Sequence, residues 1–164
     1  MYYEGVFRAL NRRGVRYVVV GGIALNLHGV PRATADLDIA VALEKENLEK
    51  IVEVMEELGF KPRIPVKPEE FKNPANLERW KREKNMKVFT FWNPNRPYEE
   101  VDILINSPIK FEDIERTKET VRARGIEIPI ISIDYLIKLK EFAGREQDES
   151  DIEALKKIKR IKEK

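Results

Sequence analysis

The 164-residue sequence predicts an α/β (α+β) protein: a mixed β-sheet, helices packed mainly on one face, and a helical pair at the C-terminal end. Three observations predict it. β-branched and aromatic runs alternate with helix-period segments in the N-terminal third, two strand-like runs then flank a turn-rich segment, and the C-terminal stretch is helical in pattern. Residues 1–131 are expected to form the core and residues 132–164 a helical element packed on it, a single domain overall.

Tyr3 to Arg13 has Val6, Phe7 and Leu10 on one side and Gly14 as its stop, so it predicts a short helix. Val15 to Val20 is β-branched and aromatic, which suits a largely buried strand. Gly21-Gly22 follows at once, and Ile23 to His28 predicts a second short helix ended by Gly29. Leu37 to Ala42 alternates bulky apolar with acidic or small residues, the pattern of a strand with unlike faces. Lys45 to Leu58 carries Leu48, Ile51, Val52, Met55 and Leu58 at helical spacing and stops at Gly59.

Pro62, Pro65, Pro68 and Pro74 break the pattern from Lys61 to Asn85, leaving a short helix over Asn76 to Lys84. Met86 to Trp92 and Glu99 to Ile105 predict two strands joined by the loop Asn93-Pro94-Asn95-Arg96-Pro97. Ile126 to Ile131 is a further strand. Ser132 is placed to cap a helix over Ile133 to Ala143, Gly144 interrupts, and a last helix is expected from about Ser150 to Lys162.

Composition narrows the chemistry. Cysteine is absent and His28 is the one histidine, which excludes disulfides, thiolate zinc sites, cysteine nucleophiles and multi-histidine metal sites. A metal would be held by carboxylates, as suits Mg²⁺ or Mn²⁺. Charged residues make up 37% of the chain, mostly Lys and Glu, with Gln147 the only glutamine, a profile that points to a thermophile. No run approaches the roughly 18 apolar residues of a membrane span. The opening Met-Tyr-Tyr-Glu-Gly-Val lacks the basic and apolar regions of a signal peptide, so a cytoplasmic location is expected.

The acids are the most informative residues. Asp36 and Asp38, two apart on a predicted strand, project from the same face. Like charges held that close are costly unless a cation lies between them. Asp102 is likewise an acid on an otherwise apolar strand, Glu100-Val101-Asp102-Ile103-Leu104-Ile105. Three such acids on neighbouring strands would form an oxygen-rich cup for one or two divalent ions, as phosphoryl or nucleotidyl transfer requires. Gly21-Gly22, between strand and helix, lets backbone N–H groups approach a triphosphate. An Asp-x-Asp pair taken alone is more often a solvated strand end; the glycines and the later acid weigh against that reading.

The run Gly21-Gly22-Ile23-Ala24-Leu25-Asn26-Leu27-His28-Gly29-Val30-Pro31-Arg32-Ala33-Thr34-Ala35-Asp36-Leu37-Asp38-Ile39 resembles the signature of the DNA polymerase beta-like nucleotidyltransferases. Its wording is most similar to the AbiEii-like toxin type. A second match is Lys140, then Arg145, then Asp148 and Asp151, which resembles that family's C-terminal element. The resemblance implies a nucleotidyltransferase fold, with metal binding by Asp36, Asp38 and Asp102. It implies triphosphate contacts from Gly21 and Gly22 and a phosphate-side role for Lys140. Asp102 would also help deprotonate an acceptor hydroxyl. Many members follow the first glycine with a serine that donates to phosphate; Gly22 lacks that hydroxyl, which leaves the task to backbone N–H groups.

The implied activity moves an NMP from an NTP such as ATP to an acceptor hydroxyl, with Mg²⁺ or Mn²⁺ as cofactor and release of pyrophosphate. The acceptor stays open between tRNA, as for a toxin, a small molecule and a protein hydroxyl, and an antitoxin protein is a possible partner. A non-catalytic nucleotide- or partner-binding module on the same fold is the alternative. Arg32 would bind phosphate or balance the acids, and Thr34 would bind substrate or satisfy its own turn. Lys61 to Lys87 holds nine basic residues against four glutamates, with Phe71 and Trp80 interleaved, a pattern compatible with RNA but commoner as a solvated surface.

Overall fold

A computed structural model describes residues 2–163. The elements run α1 (Glu4–Arg12), β1 (Tyr17–Val20), α2 (Gly21–Leu27), β2 (Leu37–Val41), α3 (Lys45–Glu57), β3 (Lys61–Pro62), α4 (Pro68–Phe71), α5 (Pro74–Lys84), β4 (Val88–Asn93), β5 (Arg96–Leu104), α6 (Phe111–Arg116), β6 (Glu119–Ala123), β7 (Ile126–Ile130), α7 (Ile133–Ala143) and α8 (Glu146–Lys162). The seven strands form one sheet in the order β3-β4-β5-β2-β1-β7-β6. β2 pairs with β5 in parallel and with β1 antiparallel, so the predicted mixed α/β sheet is what the chain adopts.

Hydrophobic period and end signals account for the well-placed elements. In α1, Val6, Phe7, Ala9 and Leu10 are buried, and Gly14 beyond it takes a left-handed φ of 67° that other residues avoid. In α7, the Ser132 hydroxyl accepts from the Tyr135 N–H at 3.3 Å, as the predicted cap requires. Gly144 closes that helix in the left-handed region.

β1 begins two residues later than its apolar run. The buried Asn47 of α3 accepts from the Arg16 N–H (2.8 Å) and donates to the Arg16 and Ala42 carbonyls (3.0 and 2.9 Å). That amide bridges the Arg16 N–H to the Ala42 carbonyl at the end of the β1–β2 pair, where the one backbone bond is the Ala42 N–H to the Arg16 carbonyl at 3.4 Å.

Where the structure departs from the expectation, cross-chain partners decide. The loop expected over Asn93 to Pro97 is shorter, because Asn93 pairs with Arg96 across Pro94-Asn95. The ladder then jumps to Trp92↔Glu100, and Pro97 sits in this irregular stretch, where its missing N–H breaks no rung. α6 and β6 lay in a stretch for which the sequence predicted no element. α8 starts at Glu146 rather than near Ser150, because the Asp148 carboxylate accepts from the Arg145 N–H at 3.1 Å and caps the helix early.

Phe71 and Trp80 are not surface aromatics. Phe71 packs on Phe89 and Phe91 with ring centroids 4.6 and 5.4 Å apart, and Trp80 stacks on Phe89 at 5.4 Å. These rings seal the inner face of β4 and α5, and each buried ring contributes about 1.5–3 kcal/mol. None of them is free to stack on a base. Among the described residues no helix is long and apolar enough to cross a membrane.

Candidate active site

The β2–β5 ladder sets Asp38 directly opposite Asp102. On β2's other side Val20, the last residue of β1, pairs with Asp38, so the chain must turn away just above a carboxylate. Gly21 does so with φ 68°, and a Cβ there would run into the Asp38 carboxylate. Glycine is needed at 21 for both reasons.

Asp36 lies one residue before β2, not on the strand as the alternation suggested. It still shares a cleft of about 520 Å³ with Asp38, Asp102 and Gly21. Leu136, Leu139, Phe142 and Lys140 of α7 form the facing wall. A larger open hollow of about 750 Å³ between α1 and the β6–β7 hairpin gathers no carboxylate cluster, and two of its cations, Arg8 and Arg12, are paired with Glu4 and Glu57.

The acids show the strain of their closeness. Burial, then the charge and hydrogen bond of Asp102, then the charge of Asp36 push the Asp38 carboxyl up to about 7; Lys140 opposes them weakly. Asp36 is also raised, by burial and by Asp102, against the pull of Arg63. Asp102 is fixed by Thr90, its cross-strand partner, whose hydroxyl donates to Oδ1 at 2.6 Å.

A second cluster joins α7 to α8, and its Lys140, Arg145 and Asp148 line the same cleft. Lys140, only 6% exposed, reaches Asp151 at 2.9 Å and Asp148 at 3.4 Å. Asp151 also pairs with Arg32, and Asp148 with Arg145 at 3.0 Å. Burial pulls the Lys140 ammonium below its ordinary range, in spite of Asp148. Burial pushes the other way on Asp148, but the Arg145 hydrogen bonds and charge hold its carboxyl below the usual value.

The structure thus gathers Asp36, Asp38, Asp102, Gly21 and Lys140 around one cleft and leaves Gly22, Arg32 and Thr34 outside its lining. The space that a side chain at Gly22 would need is filled by the Thr34 hydroxyl, 2.5 Å from that Cβ position. Thr34 instead faces a neighbouring hollow with Tyr3 and Ala35. Arg32 spends its charge on Asp151. His28 is buried, and its Nε2 donates to the Ile131 carbonyl at 2.7 Å.

Sequence reasoning missed Thr90 and Arg63. The one polar residue between Phe89 and Phe91 was a readable signal for Thr90, since its face had to be the one opposite the core. Arg63 carried none, because it lies in the proline-broken stretch.

The donor set suits a hard divalent cation: Asp36, Asp38 and Asp102 gather at one end of the cleft, and burial and its acidic neighbours drive Asp38 toward protonation. The fourth carboxylate of the lining, Asp148, is paired with Lys140 and Arg145. Among the described residues no group of three or more His, Cys, Asp or Glu side chains is arranged to hold a metal ion.

Residues 7–144 match the family described as the nucleotidyl transferase AbiEii toxin of a type IV toxin–antitoxin system. The chain belongs to this family. The AbiEii match ends at Gly144, so Asp148 and Asp151 lie beyond it. No curated protein matches the chain.

Solved structures agree on the fold. The lincomycin-bound lincosamide antibiotic adenylyltransferase LnuA is 18% identical with a TM-score of 0.60, over 93% of each chain. ANT(2")-Ia in complex with adenylyl-2"-tobramycin is 12% identical with a TM-score of 0.60, over 94% of this chain and 89% of that one. An antigenic nucleotidyltransferase-like protein from Paracoccidioides brasiliensis is 14% identical with a TM-score of 0.54, over 92% and 71%. This AbiEii chain is therefore a nucleotidyltransferase in family and in fold.

Proposed function

We propose that the chain transfers a nucleoside monophosphate from an NTP, ATP being the first to test, to an acceptor hydroxyl, and that it does so with Mg²⁺ or Mn²⁺. The observation that carries this reading is the rung Asp38↔Asp102 with Asp36 in the same cleft. Asp36, Asp38 and Asp102 would hold the metal, which when bound supplies charge neutralisation for the triphosphate. The residues themselves do the rest. Asp102, which the Thr90 hydroxyl orients, would accept the acceptor's proton. Gly21 leaves backbone open beside Asp38, and Lys140 brings a cation to the opposite wall.

Adenylyl transfer to small molecules is what the titles of LnuA and ANT(2")-Ia describe, and this supports ATP and a small hydroxylated acceptor. The family description supports a toxin, for which tRNA is the acceptor to test and an antitoxin the partner. With Phe71 and Trp80 in the core, the tRNA reading rests on charge alone, chiefly the exposed Arg79, Arg82 and Lys84 of α5. A cytoplasmic location fits either acceptor, and the Lys- and Glu-rich composition keeps a thermophile the source to try first. Residues 132–164 would act as a helical element closing the cleft of the 1–131 core.

The test is calorimetry with ATP and the other NTPs in Mg²⁺ or Mn²⁺, comparing the unaltered chain with Asp36→Asn/Asp38→Asn. Metal-dependent binding that vanishes in the double variant supports the reading and justifies acceptor screens with labelled NTP. Absence of NTP binding by the unaltered chain sinks it in favour of a binding module.

A further inference from the structure

The ladder that places Asp38 against Asp102 runs only from Leu37↔Val101 to Ala40↔Leu104. Asp36 lies beyond its first rung, so sheet hydrogen bonds do not fix this acid relative to Asp102. A side chain from the N-terminus spans the gap. The Tyr3 hydroxyl accepts from the Glu100 N–H at 3.1 Å, and its single proton is within reach of the Ala35 carbonyl (2.5 Å) and the Glu100 carbonyl (3.1 Å). Ala35 directly precedes Asp36, and Glu100 is two residues before Asp102.

Two further observations mark the contact as built. Tyr3 is 4% exposed, with its ring in the main core. Its backbone takes φ 63°, ψ 15°, a left-handed conformation that a bulky residue adopts only where its surroundings enforce it. Glycine or asparagine would make that bend more cheaply, so the side chain and not the turn accounts for a tyrosine here.

We propose that Tyr3 is a positioning residue: its hydroxyl takes the place of the missing rung between the segments entering β2 and β5, and so sets Asp36 relative to Asp102. The proposal rests on the reading of these acids as the metal site. Tyr3 lies outside the lining of the acid cleft and acts through Asp36. Its ring stays useful to the core without the hydroxyl, so Tyr3→Phe removes the bridge and keeps the packing.

Two measurements on the full chain test it. In NMR-resolved hydrogen exchange, Tyr3→Phe should speed exchange of the Glu100 amide about tenfold or more while amides within the Leu37–Ala40 ladder stay protected. In Mn²⁺ titrations followed by electron paramagnetic resonance, Tyr3→Phe should weaken binding about tenfold. The same change made on Asp36→Asn should then have no further effect. Unchanged exchange at Glu100 overturns the bridge. An equal loss of Mn²⁺ affinity on the Asp36→Asn background overturns action through Asp36 and makes Tyr3 a general packing residue. If the unaltered chain binds no Mn²⁺, the metal reading of the cleft falls, whereas the exchange result still judges the bridge.

Discussion

Asp38 of β2 and Asp102 of β5 stand opposite each other on parallel neighbouring strands, at the mouth of a cleft that α7 closes from the other side. Parallel pairing matters here. It brings two acids distant in sequence to the same end of the sheet, on directly opposed residues whose side chains share one face. Burial, reinforced by the neighbouring carboxylates, pushes Asp38 up to about 7, and that cost has direct consequences.

Removing the charge at Asp38 should separate function from stability. Asp38→Asn is expected to abolish metal-dependent NMP transfer. In metal-free buffer at pH 8 it should leave the chain as stable as before or about 1–2 kcal/mol more stable, a Tm gain of a few degrees. Thermal melts with a chelator, beside a labelled-NTP assay, check both. A large loss of Tm would mean that Asp38 supports the fold.

The pH dependence of the metal-free protein follows from the same shift. Asp38 binds its proton more tightly folded than unfolded, so it contributes stability that is full below about pH 4 and is lost as pH rises through about 7. Melts between pH 5 and 8 should show this decline without metal. Millimolar Mg²⁺ should flatten it, and Asp38→Asn should abolish it. A decline that is the same in the Asn variant would assign it to another group.

Asp102 depends on Thr90 for its orientation. Thr90→Val keeps the β-branched shape and removes the donor 2.6 Å from Oδ1. The expected result is a fall in kcat of about tenfold with a Tm change under about 4 °C. A change in KM alone would place Thr90 outside the chemistry.

The Lys140 cluster should behave as a buried ion network. Lys140→Met would leave Asp148 and Asp151 facing each other with only Arg145 and Arg32 in support. About 3–5 kcal/mol of stability should be lost, roughly 6–20 °C in Tm. Asp148 keeps a depressed carboxyl in the intact chain, so its contribution is present above the unfolded value and disappears as pH falls below the folded one. Acid unfolding of Asp148→Asn should accordingly be shallower than that of the unaltered chain.

Gly21→Ala tests the close approach of backbone and acid. The added Cβ meets the Asp38 carboxylate and must also hold a left-handed φ. Activity should fall at least tenfold, with about 1–2 kcal/mol of destabilisation by denaturant titration.

Local pattern made much of this protein legible from its residues. Val6, Phe7 and Leu10 of α1 and Leu48, Ile51, Val52 and Met55 of α3 mark buried helix faces by spacing alone. Ser132 and Gly144 bracket α7 because caps act within a few residues of the bond they satisfy. The mixed sheet and the strand positions of Asp38 and Asp102 could be read because strand alternation is a property of the chain itself, whereas Asp36 falls one residue short of β2. Pro94-Asn95 was a harder case: a two-residue turn and a bulge depend on which residues of the other strand they face.

What only the tertiary structure decided is the set of partners. Nothing near Thr90 in sequence says that it bonds Asp102, and nothing near Arg32 says that its charge is taken up by Asp151 in place of the cleft. Phe71 and Trp80 read as surface aromatics among lysines until Phe89 and Phe91 claimed them for the core. The sequence by itself determined the helix faces, the strand positions of Asp38 and Asp102 and the glycine turn, since these follow from dihedral preference and side-chain period within a few residues. Register, burial and charge pairing across the sheet needed the fold, because they come from contacts between residues far apart in the chain, which no local period encodes.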